Sequence, residues 1–363
     1  MSEAPRDPLE PPYGARDGGG MAARIAGIAG QIDAGLEAVA SAPWRLPLRD
    51  PDLLAVGGLG GSAIAADLCA GLYADRLPRP LLVVRDERWP ACVGARSLAL
   101  LSSCSGDTAE TLALYAAAAE RGVPRLVLTR GGALGERARR DGVGVWRLHG
   151  DGPPRAALFS GWVPLVALLH ALGWIDDPAP EWCEAAAETR AADPSLGAAS
   201  PPAANPAKRL ARSLAGRVVF LYSGPGAGAA AARRWRQQLN ENAKLLGHSA
   251  VVPELDHNEI VGWERPGPLR DRVAIVVLRD PDDTPETGAR LDLTAELAAR
   301  QGATVHEVEG RGESRLARLA SLVQFGDYVS LYVALLAGVD PTPIASIDEF
   351  KRRLAPPGPV RGR

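Results

Sequence analysis

Residues 217–239, RVVFLYSGPGAGAAAARRWRQQL, repeat the plan of residues 52–72, DLLAVGGLGGSAIAADLCAGL: an apolar strand, a glycine turn, then a helix of small residues. This recurrence is the strongest constraint on the fold. A continuous apolar run suits a strand buried on both faces, and alternation with helices dictates a parallel sheet covered on both sides. Further runs of this kind lie at 80–86, 97–103, 125–131 and 143–150 in the first half, and at 272–280 and 304–310 in the second. The fold class expected is α/β, with two tandem doubly wound domains and mostly parallel sheets. The expected bounds are an N-terminal domain with a leading helix over 21–184, a linker rich in Ala and Pro over 185–208, and a C-terminal domain over 209–356 ending in a short helix. Residues 1–20 read as a disordered tail and 357–363 as a second tail.

Composition narrows the function classes. The chain has 363 residues, 46% hydrophobic and 23% charged, with a net charge of -2, the make-up of an ordinary soluble globular protein. That charge leaves no electrostatic footprint for nucleic acid or an anionic membrane. No apolar run is read as reaching the roughly 20 residues of a membrane span, and the N-terminus has no basic region followed by an apolar stretch. The expectation is a cytoplasmic protein. Its four dispersed cysteines, Cys69, Cys92, Cys104 and Cys183, then remain reduced and form no zinc site.

The first glycine turn, GGLGGSAIA, admits more than one reading. Gly58-x-Gly60-x-x-Ala63 with Asp86 matches a dinucleotide fingerprint, a weak signal alone. It also suits a plain strand-to-helix turn, or a loop lying against a sugar with Ser62 at the helix start. SSCSGDTAET (102–111) says more. It follows a strand and opens a helix, so Ser103, Ser105 and Thr108 offer hydroxyls beside free backbone N–H groups, where the helix dipole favours a phosphate. Asp107 and Glu110 read as a capping box, which leaves three hydroxyls in six residues unexplained.

NENAKLLGHSAVVPELDHNEIVGW (240–263) concentrates rare residues. The chain's only lysines are Lys208, Lys244 and Lys351, and three of its four asparagines and two of its five histidines fall in this stretch. A helix over 227–245 places Glu241 and Lys244 within one turn, as a surface ion pair at the least. His257 stands between Asp256 and Glu259 in sequence, and carboxylates on either side would poise it for proton exchange near neutral pH.

GGLGGS, SCSGDTAET, NENAK, ELDHNE and VDPTPIASIDEFKRRL together resemble the bifunctional phosphoglucose/phosphomannose isomerases of the sugar isomerase (SIS) superfamily, over residues 20–356. The resemblance implies two flavodoxin-like SIS domains and a metal-independent aldose–ketose isomerase acting on a hexose 6-phosphate, without a cofactor. It implies that Ser103, Ser105 and Thr108 hold the phosphate, and that Gly60, Gly61 and Ser62 lie along the sugar. Glu241 matches the catalytic base, and Arg155 the arginine that stabilises the intermediate. His257 and Lys351 match ring-opening residues, with His257 supplied across a homodimer. Cys104 and Asp107 depart from the family pattern, and a carboxylate at 107 would repel a phosphate unless it points into a cap. Asp256 also departs, and would favour the imidazolium of His257 if the two lie close. A non-catalytic SIS-domain sugar-phosphate sensor is the alternative. A nicotinamide-dependent dehydrogenase, resting on the glycine turn and Asp86, is a more distant one.

Overall fold

LLAVG at 53–57 and SLALLSS at 97–103 carry no charged side chain, and every residue of both strands is buried. Only a central position in a sheet covered on both faces satisfies such runs. The computed structural model describes residues 7–354 apart from Pro43 and Pro266. Helices α1 (Met21–Ala26) and α2 (Ile28–Ser41) precede β1 (Leu53–Gly57), α3 (Gly61–Leu72), β2 (Leu81–Val84) and β3 (Ser97–Ser103). The first half continues with α4 (Ala109–Glu120), β4 (Arg125–Thr129), α5 (Gly132–Arg140) and β5 (Gly144–Arg147). Helices α6 (Leu158–Ala171), α7 (Ala179–Leu196) and α8 (Pro206–Leu214) lead to the second half. There β6 (Val218–Ser223) and α9 (Ala227–Ala243) are followed by β7 (Gly247–Val251) and the single turn α10 (Glu259–Gly262). The chain ends with β8 (Val273–Arg279), α11 (Pro285–Arg300), β9 (Thr304–Glu309), α12 (Arg315–Leu336) and α13 (Ala345–Leu354).

The first sheet runs β2-β1-β3-β4-β5 and the second β7-β6-β8-β9, with every pairing parallel. Each order reverses beside its first strand, which puts the ligand-accepting switch points at the C-terminal ends of β1/β3 and β6/β8. The halves share one core: a contiguous cluster includes Leu54 and Leu100 of the first sheet, Val219 and Val276 of the second, and residues of α3, α6, α9 and α12. Where α3 meets the turn into α9, a methyl group at Gly71 would fall 2.4 Å from the Gly226 carbonyl. Glycine is what lets these backbones touch.

Three expectations are corrected. Residues 185–208 are not an irregular joint. Most belong to α7 and α8, and the turn between them is tied by Asn205, which caps α8, and by the Lys208 Nζ, which donates to the Ala198 and Ser200 carbonyls at 2.8 Å. The 7–20 stretch is ordered: Leu9 is fully buried, and the Asp17 carboxylate accepts from the Met21 and Ala22 N–H groups. The expected 357–363 tail lies outside the described residues. Finally, α12 does have the length and hydropathy of a membrane span. All of it except Arg315, Phe325 and Leu336 is nonetheless buried within the protein, against α7, α8 and α9. It is the central helix of the core.

Candidate active site

The glycine turn and the serine loop are fused at the β1/β3 switch point. The Ser102 Oγ donates to the Ser62 carbonyl at 3.0 Å, and the Cys104 N–H donates to the Ser62 Oγ at 3.1 Å. A methyl at Gly58 would lie 2.6 Å from the Ser102 carbonyl, so the two loops run backbone to backbone. Within the serine loop the Ser103 Oγ lies 2.9 Å from the Thr108 Oγ1 and accepts from the Gly106 N–H at 3.1 Å. The Ser105 Oγ accepts from the Asp107 N–H at 3.2 Å. Ser103 is buried beneath the loop, while Ser105 is exposed and Thr108, at the N-cap of α4, is half-buried. Gly106 makes the turn at φ +81°, where any side chain would strike the Gly131 carbonyl. Burial pushes the Cys104 thiol pKa up, consistent with an uncharged floor to the loop.

Asp107 and Glu110 do not form a capping box, since no side chain caps α4. The Asp107 Oδ1 instead accepts from the Ala133 N–H at 2.9 Å, capping α5. The departure at 107 therefore resolves as a cap on the neighbouring helix. The dinucleotide reading loses its room. A methyl at Gly61 would sit 3.0 Å from both the Arg155 N and the Pro154 Cβ, so the backbone at 154–155 covers the turn. Asp86 caps its own bend through the Glu87 and Arg88 N–H groups.

That same backbone delivers Arg155 to the end of α9. Arg155 is 2% exposed. Its Nε donates to the Asn242 Oδ1 at 2.7 Å, its Nη2 to the Pro341 and Thr342 carbonyls at 2.7 and 2.9 Å, and its Nη1 to the Glu241 Oε2 at 3.4 Å. Nη1 keeps one N–H without an acceptor among the described residues. Burial lowers the Arg155 pKa and the Glu241 carboxylate opposes that shift. The Glu241 side chain remains 24% exposed, so the carboxylate is held at its inner end and open at its outer one.

Lys244 does not pair with the Glu241 carboxylate as the i, i+3 spacing suggests. It ends α9 at φ +53°, the one non-glycine with positive φ among the described residues. Glycine is the usual occupant there, but glycine carries no amine. The Nζ of Lys244 donates to the Glu241 and Asp340 carbonyls at 2.9 Å, and to those of Asn242 and Pro341 at 3.3 Å. It thereby staples the 340–342 segment against α9. Burial lowers its pKa, with Arg155 adding to the shift. Gly19 completes the packing, since a methyl there would overlap the Thr342 Oγ1.

His257 and Lys351 are not tied to this cluster. Both are exposed, and among the described residues no hydrogen bond or ion pair joins either to Glu241, Arg155 or the serine loop. The carboxylates beside His257 in sequence face away from it. Asp256 accepts from Arg290 and Thr294 on α11 at 3.0 and 3.1 Å. Glu259 takes the Tyr222 hydroxyl at 2.7 Å and lies 2.9 Å from the Nε2 of a different histidine, His248. The segment is thus anchored on both sides while the His257 side chain projects outward. Sequence reasoning did not find the supports of Arg155, namely Asn242, the 341–342 carbonyls and Lys244.

The family model for the bacterial phospho-glucose isomerase C-terminal SIS domain matches residues 203–354. The chain is 38% identical over 311 residues to a bifunctional phosphoglucose/phosphomannose isomerase of Caldicellulosiruptor bescii, spanning 85% of this chain and 91% of that protein. It is 32% identical over 298 residues to one of Aquifex aeolicus, spanning 82% and 88%. In structure it resembles a hypothetical protein of Thermus thermophilus, with a TM-score of 0.70 at 17% identity over 93% of this chain and 91% of that one. A putative phosphosugar isomerase of Silicibacter pomeroyi follows at 0.66 and 20%, covering 88% and 99%. With relatives this similar over most of their length, the chain is a sugar isomerase that belongs to the bifunctional phosphoglucose/phosphomannose isomerase family.

Proposed function

We propose that this protein interconverts glucose 6-phosphate and mannose 6-phosphate with fructose 6-phosphate through a cis-enediolate, in the cytoplasm, as a homodimer and without a metal. The barrier is the weak acidity of the carbon next to a carbonyl, and the sugar ring must open before that carbonyl exists. Ser103, Ser105 and Thr108 with the α4 N-terminus take the 6-phosphate, so remote binding energy positions the reacting carbons. Gly60, Gly61 and Ser62 let the sugar lie against backbone. Glu241 removes the C2 proton of the aldose and returns it at C1. The uncommitted Arg155 N–H meets the developing oxyanion, a contribution of about 3 kcal/mol for a single well-placed donor. Lys351 and the partner subunit's His257 move protons to and from the ring oxygen and the anomeric hydroxyl during opening. Glucose and mannose 6-phosphates differ only at C2, so accepting both requires slack around that carbon.

The observation that carries this reading is the Arg155–Glu241 contact: a carboxylate open at one end, 3.4 Å from a buried guanidinium whose backbone lies against the glycine turn. Supplying fructose 6-phosphate in the presence of a chelator tests it, with glucose and mannose 6-phosphates as the expected products. Tight binding with no turnover would instead favour a sugar-phosphate sensor, a reading prompted by the separation of His257 and Lys351 from Glu241 within one chain.

A further inference from the structure

Arg155 is tied into a closed circuit of buried polar groups linking α9 and α12. Arg234, Gln238 and Asn242 stand at i, i+4 and i+8 on α9 and so share one helix face, and all three are almost fully buried. The Arg234 Nε and Nη2 donate to the two Asp327 carboxylate oxygens at 3.1 and 2.8 Å, and the Gln238 Nε2 donates to the Asp327 Oδ1 at 2.9 Å. The Ser330 Oγ donates to the Asp327 carbonyl at 2.8 Å and accepts from the Asn242 Nδ2 at 3.0 Å. Both ends of this chain close on Arg155. The Arg234 Nη2 donates to the Arg155 carbonyl at 2.6 Å, and the Asn242 Oδ1 accepts from the Arg155 Nε at 2.7 Å. Asp327 is the only carboxylate in the long apolar run of α12.

A buried ion pair is a poor stabilising device, because desolvation offsets its attraction and well-packed apolar residues of similar volume hold helices at least as well. Tying α9 to α12 therefore needs no charges, and it needs no bond to Arg155. We infer that Arg234 and Asp327 are positioning residues for Arg155. Together with the Ser330–Asn242 link, they fix both its backbone and the plane of its guanidinium, and thereby aim the remaining Nη1 N–H at the reacting oxygen. Neither residue touches the sugar. The inference rests on the isomerase reading given above.

The test replaces the pair by apolar residues of similar size, Arg234→Met with Asp327→Leu, in the full-length protein. The expected outcome is a folded protein of near-normal Tm in which kcat for fructose 6-phosphate falls about 10- to 100-fold, the cost of a misplacement near 1 Å. KM should stay within about threefold, because the phosphate loop is untouched. Affinity for a hydroxamate mimic of the enediolate should fall in parallel, while affinity for inorganic phosphate holds. In an Arg155→Gln background the same double substitution should change kcat less than about twofold, since residues acting through one partner are not additive. Should the double variant fail to fold, Ser330→Ala breaks the circuit with one small change and should lower kcat severalfold at constant KM. A folded double variant or a Ser330→Ala variant with unchanged kcat overturns the inference, as does an equal loss in both backgrounds. A wild type that neither turns the sugar over nor binds the mimic overturns the isomerase reading itself.

Discussion

Arg155 commits four of its five N–H groups to the protein: one to Asn242, two to the 341–342 carbonyls and one to Glu241. An ammonium cannot serve acceptors spread around a plane in this way. Arg155→Lys should lower kcat about 100- to 1,000-fold with a small change in KM, the effect expected of losing an oxyanion donor, as steady-state kinetics would show. Glu241→Gln should stop hydrogen exchange between C2 and solvent, followed by NMR in deuterated water, while a sugar-acid phosphate still binds. Near-normal exchange in that variant would remove Glu241 from its role. At this scale the sequence is a good guide where a side chain's chemistry is rare in the chain. NENAK stands out because asparagine and lysine are scarce, and Glu241 lies within it. Lys244 is equally conspicuous, yet its task depends on a backbone conformation and a segment almost 100 residues later, which no local pattern reveals. The turning of Asp256 and Glu259 towards partners other than His257 is likewise invisible in a string that sets them on either side of it.

Among elements, the loop proposed to hold the phosphate is tightly constrained. Gly106 combines φ +81° with a carbonyl 1.9 Å from where a Cβ would lie. Gly106→Ala should cost on the order of 2–4 kcal/mol, combining left-handed strain and overpacking. A calorimetric melt would register the lowered Tm, and the displaced hydroxyls should raise KM for the sugar phosphate more than they lower kcat. An unchanged melt with unchanged KM would mean that the loop is more compliant than its contacts indicate. Strands such as 97–103 and 273–279 can be read directly, because continuous apolar runs have few other uses. The edge strand at 247–251 cannot, because GHSAV is only half-buried and lacks such a run. The 185–208 stretch misleads for another reason: alanine and proline suggest a linker, whereas here Pro194 lies within α7 and Pro206 opens α8, the latter a position proline favours. A capping pattern is similarly ambiguous, since Asp107 caps a helix that starts 25 residues further on.

At the scale of the molecule, the repeated strand–glycine–helix plan makes the doubling of the fold apparent, but not the single core that unites the halves. Burying α12 accounts for that core, and its apolar length alone could equally suggest a membrane span. The core also brings Arg155 from the first half against Glu241 from the second, so the proposed site exists only in the joined molecule. His257 and Lys351 are exposed, and the proposed mechanism takes His257 from a second subunit. Mixing two inactive variants tests that most directly. Glu241→Gln and His257→Ala subunits are denatured together, refolded at equal concentration, and assayed with fructose 6-phosphate. Each variant alone should be nearly inactive. The mixture should recover about a quarter of wild-type activity, because half the dimers are hybrids and each hybrid holds one intact site. Normal turnover by either variant alone, or no recovery in a mixture shown to contain hybrids, would contradict the account.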